Sequence, residues 1–159
     1  MNHECRYFRQ AVGRCVQSKP FIQFMPFPLD PKYIEETEKE LGVIFPPLYK
    51  AKMIKENGGE AGTEDEGWTL FPFFDKSDNK RISRTCNHIV LETKNAREWD
   101  NFPQNAVAIG ENGCGDYLIL QKVSEKENEL SETLYSWWHE TGEIHPVGKS
   151  INDLLEPTE

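Results

Sequence analysis

The chain has 159 residues, with 18 Lys+Arg against 27 Asp+Glu, a formal net charge of −9. That balance argues against a nucleic-acid binder, whose affinity comes from Lys and Arg neutralising phosphates, and against an anionic membrane surface. Four Trp and nine Phe argue against disorder, because aromatic rings bury large areas, and a chain of this length holds one domain without disulfide staples.

The first 30 residues carry Arg6, Arg9, Arg14 and Lys19 against Glu4 and Asp30, a net of +2, which leaves −11 on residues 31–159. Residues 3–17 suit a short helix with Tyr7 or Phe8, Val12, and Cys15 or Val16 on one side. We read residues 1–29 as an N-terminal extension that packs on the domain. The longest apolar stretch, 20–29, is broken by Pro26 and Pro28 and falls well short of the about 20 residues a membrane span needs. No signal-peptide pattern precedes it, so a cytoplasmic address is expected. There, Cys5, Cys15, Cys86 and Cys114 should be reduced thiols.

Asp30-Pro31 opens the organised part: Asp is a good N-cap and Pro fits the first helical position. Ile34 and Leu41 share a face, and Gly42 supplies the stop. After Pro46-Pro47 a second helix places Leu48, Ala51 and Ile54 on one face, flanked by Tyr49 and Met53, and ends at Asn57-Gly58-Gly59. Residues 60–67 read as an acidic loop, 68–74 as a strand, and 85–99 as a third helix through Ile89, Ala96 and Trp99. Strands follow at 106–109 and 117–121 around a Glu111-Asn112-Gly113 turn. A charged loop at 124–132 leads to a strand at 134–139, a Thr141-Gly142-Glu143 turn and a strand at 144–147. A last helix fits 150–155, with Ser150 as N-cap and Asp153 three residues on. Helices first, an antiparallel meander second and a closing helix make a single α+β domain, mainly antiparallel sheet with helices packed on it. The domain is expected over 30–156, with 157–159 as a tail.

Cys114 on the Gly-rich turn, with His139 elsewhere, is a remote candidate for a nucleophile and base. No Cys-hydrolase signature surrounds it, and a small filler on a hairpin explains it as well. His139 and His145 are six apart across a Gly turn, not four apart on a helix, and Cys86 and His88 lack a second pair at zinc-ligand spacing, so no metal is expected. Asn57-Gly58-Gly59 follows a helix and is no phosphate cradle. Trp137 and Trp138 must point to opposite faces if both lie on a strand, leaving one for the core and one as a candidate interface anchor. Residues 35–66 hold nine acids against four bases, and 123–143 six against one. These runs are either solvated faces or a surface for a basic partner.

Three blocks occur in order. The first is Leu41-Gly42-Val43-Ile44-Phe45-Pro46-Pro47-Leu48-Tyr49-Lys50, ending at Asn57-Gly58-Gly59. The second is Pro103, Val107-Ala108-Ile109-Gly110 and Asn112-Gly113-Cys114-Gly115-Asp116-Tyr117. The third is Tyr135, His139-Glu140 and 151–155. Together they resemble the SUKH superfamily, the Smi/Knr-like domain. The chain differs in having Cys114 where a small hydroxyl residue is common, and in the residues before Asp30.

The resemblance implies an immunity-type protein, in a bacterial setting, that binds and blocks a cognate polymorphic toxin domain, often a nuclease. It implies no enzyme and no cofactor. The alternatives are a non-toxin interaction or regulatory module of the same fold and, remotely, a Cys-dependent enzyme. The expected partner is a basic toxin domain, with no direct nucleic-acid or membrane contact. The expected contact residues are Glu60, Glu64, Asp65 and Glu66 after the second helix, Glu111 and Asp116 at the Gly-rich turn, and Trp138 and Glu140 beyond it. Asp116 has a rival role, binding turn amides.

Overall fold

Asp30 and Gly42 bracket the first helix through their own capping chemistry. In the computed structural model, which describes residues 26–124 and 127–155, α1 spans Pro31–Leu41. The Asp30 carboxylate accepts from the Lys32 amide, and Gly42 takes the left-handed conformation, φ 66°. Ile34 is buried and Leu41 packs at the core's margin. The helix expected at 3–17 and the 157–159 tail lie outside the described residues.

Helix α2 spans Pro47–Lys55, and its buried side chains are Tyr49, Lys52 and Met53. The expected face is therefore turned outward: Leu48 and Ile54 are 43% and 36% exposed, and Ala51 is exposed too. Aromatic packing decides the phase. Tyr49 stacks on Phe45 with centroids 5.6 Å apart, and Phe45 meets Phe73 edge-on at 5.1 Å. Lys52 tolerates burial because its ammonium donates to the Glu56 and Gly58 carbonyls. Burial lowers its pKa to about 8. Burial raises the Tyr49 phenol well above its ordinary value.

The chain beyond α2 departs from the expected loop and strand. Residues 60–67 form strand β1, Glu60–Gly62, and the turn into β2, Gly67–Leu70. The stretch 71–74 then leaves the sheet after one more bond, Phe71 N–H to Ile109 C=O. Asn57 takes the place of a strand partner: its amide accepts from Phe73 N–H at 2.8 Å and donates to Phe73 C=O at 2.9 Å. The expected third helix is two. Asp78 caps α3, Asn79–Arg84, through the Arg81 amide. His88 caps α4, Ile89–Ala96, through the Leu91 amide.

The remaining strands are β3, Ala106–Glu111; β4, Tyr117–Lys122; β5, Leu130–Trp137; and β6, Ile144–Gly148. Strand β5 begins four residues earlier than expected. Leu130 is held there by its amide's bond to Ile44 C=O. A 3-10 helix, Ile151–Leu154, closes the domain, with the Asp153 carboxylate accepting from the Ser150 and Lys149 amides.

All neighbours in the six-stranded sheet are antiparallel and in chain order, β1 to β6. The fold is thus the expected single α+β domain. Ala106 to Ile109 and Leu118 to Leu120 are essentially inaccessible, so β3 and β4 are covered on both faces. Helix α4 lies on β3, where Thr93 Oγ1 accepts from Ala108 N–H at 3.1 Å beside a register shift between Ala108 and Gly110. The 3-10 helix touches α2, β1, β5 and β6.

Candidate interaction surface

An antiparallel meander sends alternate turns to the same end of the sheet. Turns β1–β2, β3–β4 and β5–β6 therefore share one end, and these are the turns that carry most of the expected contact residues. Glu64, Asp65 and Glu66 lie in the first, Asp116 in the second, and Glu140 in the third with Trp138 at its start. Glu60 and Glu111 are set slightly back. Both pair in register with Thr69, one on each side, so they share a face about 10 Å apart, two strand spacings.

Side-chain bonds tie the three turns together. In the first, Thr63 Oγ1 accepts from the Glu66 amide at 3.1 Å. Glu66 accepts in turn from Asn112 Nδ2 at 2.7 Å, across to the second turn. Asn112 Oδ1 accepts from the Cys114 amide at 2.9 Å and the Asp116 amide at 3.3 Å. The turn amides are thus bound by Asn112, not by Asp116. Asp116 reaches the third turn instead: Oδ1 accepts from the His139 amide at 3.0 Å and lies 2.7 Å from His139 Nδ1. Gly115, at φ 105°, is required here, because a Cβ would stand 3.0 Å from that imidazole nitrogen.

Glu66 and Asp116 are therefore engaged within the chain. Glu60, Glu64, Asp65, Glu111 and Glu140 form no ion pair among the described residues. The acids of α1 behave differently: Glu36 pairs with Lys76 at 2.5 Å, Glu38 with Lys50 at 3.1 Å and Glu40 with Lys94 at 3.4 Å. Three of the nine acids of the long acidic run are thus paired on the helix side, and unpaired charge gathers at the turns.

Trp137 is fully buried and Trp138 is 37% exposed, its ring centroid 4.3 Å from that of His145. Trp99, expected on a helix, lies beyond α4 and is 44% exposed, edge-on to Trp137 and His139. Sequence reasoning missed Trp99 as a surface aromatic. The Asn101-Phe102-Pro103 stop just after it was the available signal.

A groove of about 680 Å³ runs along β1 and β2 beside the 3-10 helix, lined among others by Glu60, Glu64, Trp68, Asp153 and Leu155. Among the described residues no three His, Cys, Asp or Glu side chains gather to hold a metal. His88 stacks on Phe74 at 4.6 Å, and burial lowers its pKa. Cys86 is a reduced thiol. Cys114 is disulfide-bonded, which corrects the expectation of thiols throughout and removes it as a nucleophile. Cys5 and Cys15 lie outside the described residues. No helix among the described residues is long and apolar enough to cross a membrane.

No curated protein matches the chain. The model of one family, described as the SMI1 / KNR4 family (SUKH-1), matches residues 28–156, from just before α1 to just past the 3-10 helix. The three sequence blocks, the meander with its helices and this match agree, and the chain belongs to the SMI1 / KNR4 family (SUKH-1).

Proposed function

We propose that this chain is a cytoplasmic immunity-type protein that binds a cognate toxin domain of basic character, a nuclease being the class its charge suits, and neutralises it by covering its working surface. A role of the immunity type is consistent with the family. The observation that carries the reading is the set of five carboxylates, Glu60, Glu64, Asp65, Glu111 and Glu140, unpaired among the described residues at one end of the sheet, with Trp138 exposed beside them. A nuclease needs Lys and Arg along its substrate groove. An acidic end of a rigid sheet is steered to such a groove and occupies the phosphate positions. Trp138 supplies the apolar anchor that charge alone does not. Inhibition of this kind is occlusion and needs no cofactor and no catalytic group.

The test is co-expression with the toxin domain encoded beside this gene. Rescue of growth together with a stable complex of the purified proteins is expected. If no neighbouring toxin is bound or neutralised, the reading falls.

A further inference from the structure

The two edges of the sheet differ. Strand β6 holds Pro146, which has no N–H to offer a further strand. The opposite edge strand, β1, has neither Pro nor Lys in Glu60–Gly62, and no strand of the described residues lies beyond it. Gly59 C=O accepts from Leu70 N–H and Thr63 N–H donates to Glu66 C=O, both at 2.8 Å. The period of two therefore turns the N–H and C=O groups of Glu60 and Gly62 away from β2.

The groove along β1 holds two further features without a partner among the described residues. Trp68 lines it, and the buried indole Nε1 has no acceptor. A buried donor left unmade is costly, so this one marks a place where an acceptor is missing. Glu60 and Glu64 line the groove with no cation on either, whereas Asp153 is occupied by the Lys149 and Ser150 amides. An extended row of backbone groups, one indole donor and two open carboxylates select an extended backbone that carries positive charge. A second copy of this chain, added edge to edge, would bring Glu60 and Glu64 against acids of its own kind. The groove also continues into the β1–β2 turn, where Asp65 adds to the same charge.

We propose that the toxin domain binds by strand addition: an extended segment of it, with Lys or Arg at alternate positions, pairs with the outer edge of β1, sets its cations on Glu60 and Glu64, and supplies an acceptor to the Trp68 indole. This rests on the immunity-type reading and names the part of the partner that the acidic surface takes. Main-chain bonds to Glu60 and Gly62 give affinity, and the alternate cations give selection.

Residue-resolved hydrogen–deuterium exchange tests it, on the full chain alone and in complex with the toxin domain encoded beside this gene. Exchange at the Glu60 and Gly62 amides is expected to slow at least tenfold in the complex, together with a toxin stretch holding alternate Lys or Arg. Glu60→Lys with Glu64→Lys is expected to abolish that slowing while β3 and β4 keep their protection. A stable complex in which Glu60 and Gly62 exchange as in the free chain overturns the inference and leaves the immunity-type reading standing. Absence of any complex overturns both. Slowing that survives the double charge reversal overturns the basic character of the segment and with it the inference. Amides already slow in the free chain at every concentration assign the edge to the chain itself, and slowing that grows with the concentration of the free chain assigns it to a second copy; either result overturns the inference.

Discussion

The Asp116 carboxylate holds His139 twice, through the backbone amide at 3.0 Å and the ring Nδ1 at 2.7 Å. This fastens the Gly-rich turn between β3 and β4 to the turn between β5 and β6. Asp116→Ala leaves the half-buried His139 amide without its acceptor and is expected to cost about 1–3 kcal/mol. Asp116→Asn keeps one acceptor oxygen and should lose less. Urea unfolding of the two variants checks the order.

Gly115 and Gly113 both have positive φ, 105° and 78°, but only Gly115 faces a neighbour. Gly115→Ala combines backbone strain with a clash on the His139 ring and should destabilise by about 1–3 kcal/mol. Gly113→Ala meets nothing within 4 Å and carries the strain alone. Thermal melts of both should show the larger drop at Gly115.

Lys52 and Tyr49 give opposite slopes on the alkaline side. Burial holds the Lys52 ammonium to about 8 in the folded chain, against about 10.4 when unfolded. Between these values the unfolded chain binds more protons, so stability rises with pH, by about 2 kcal/mol from pH 8 to 10. Above about pH 10 the unfolded tyrosine ionises while buried Tyr49 does not, and stability falls. Denaturant titrations from pH 7 to 11 should show the maximum, and in Lys52→Met the rise from pH 8 to 10 disappears.

Adjacent tryptophans should separate folding from binding. Trp137→Ala empties a buried site packed against Phe102, Tyr117 and Trp99, and is expected to cost about 3–5 kcal/mol. Trp138→Ala should change stability by less than about 1 kcal/mol and weaken toxin binding by about 2 kcal/mol or more if it is the anchor. Unfolding curves and titration calorimetry of each variant decide this.

The acids divide in the same way. Reversing Glu64, Asp65 and Glu140 to Lys should slow association with the toxin about tenfold or more at low salt and flatten its salt dependence. Reversing Glu36 and Glu40, which are paired with Lys76 and Lys94, should do much less to the association rate. Stopped-flow association at two ionic strengths separates the two sets.

Much of the architecture was legible in the order of residues, because its signals are local. Asp30 and Gly42 cap α1 through bonds within a few positions of themselves. Gly113, Gly115 and Gly142 mark turns that need positive φ. The apolar runs at 106–109 and 117–121 announce the buried middle of the sheet. With three ordered blocks, these determined the α+β class and the family, and they placed Glu64, Asp65 and Glu66 outside the strands.

Tertiary structure alone decided the rest, because the deciding partners are remote. Helix α2 shows its Leu48 and Ile54 outward because Phe45 and Phe73 claim Tyr49. The acidic stretch at 60–62 became a strand because β2 stands beside it. Which carboxylates stay open was set by cations up to 54 positions away, such as Lys94 on Glu40, and the meander brought three separate turns to one end. Composition supplies the charge of −9, but an ion pair forms only between side chains the fold brings within reach. The fold thus left that charge unpaired at the turns rather than along α1.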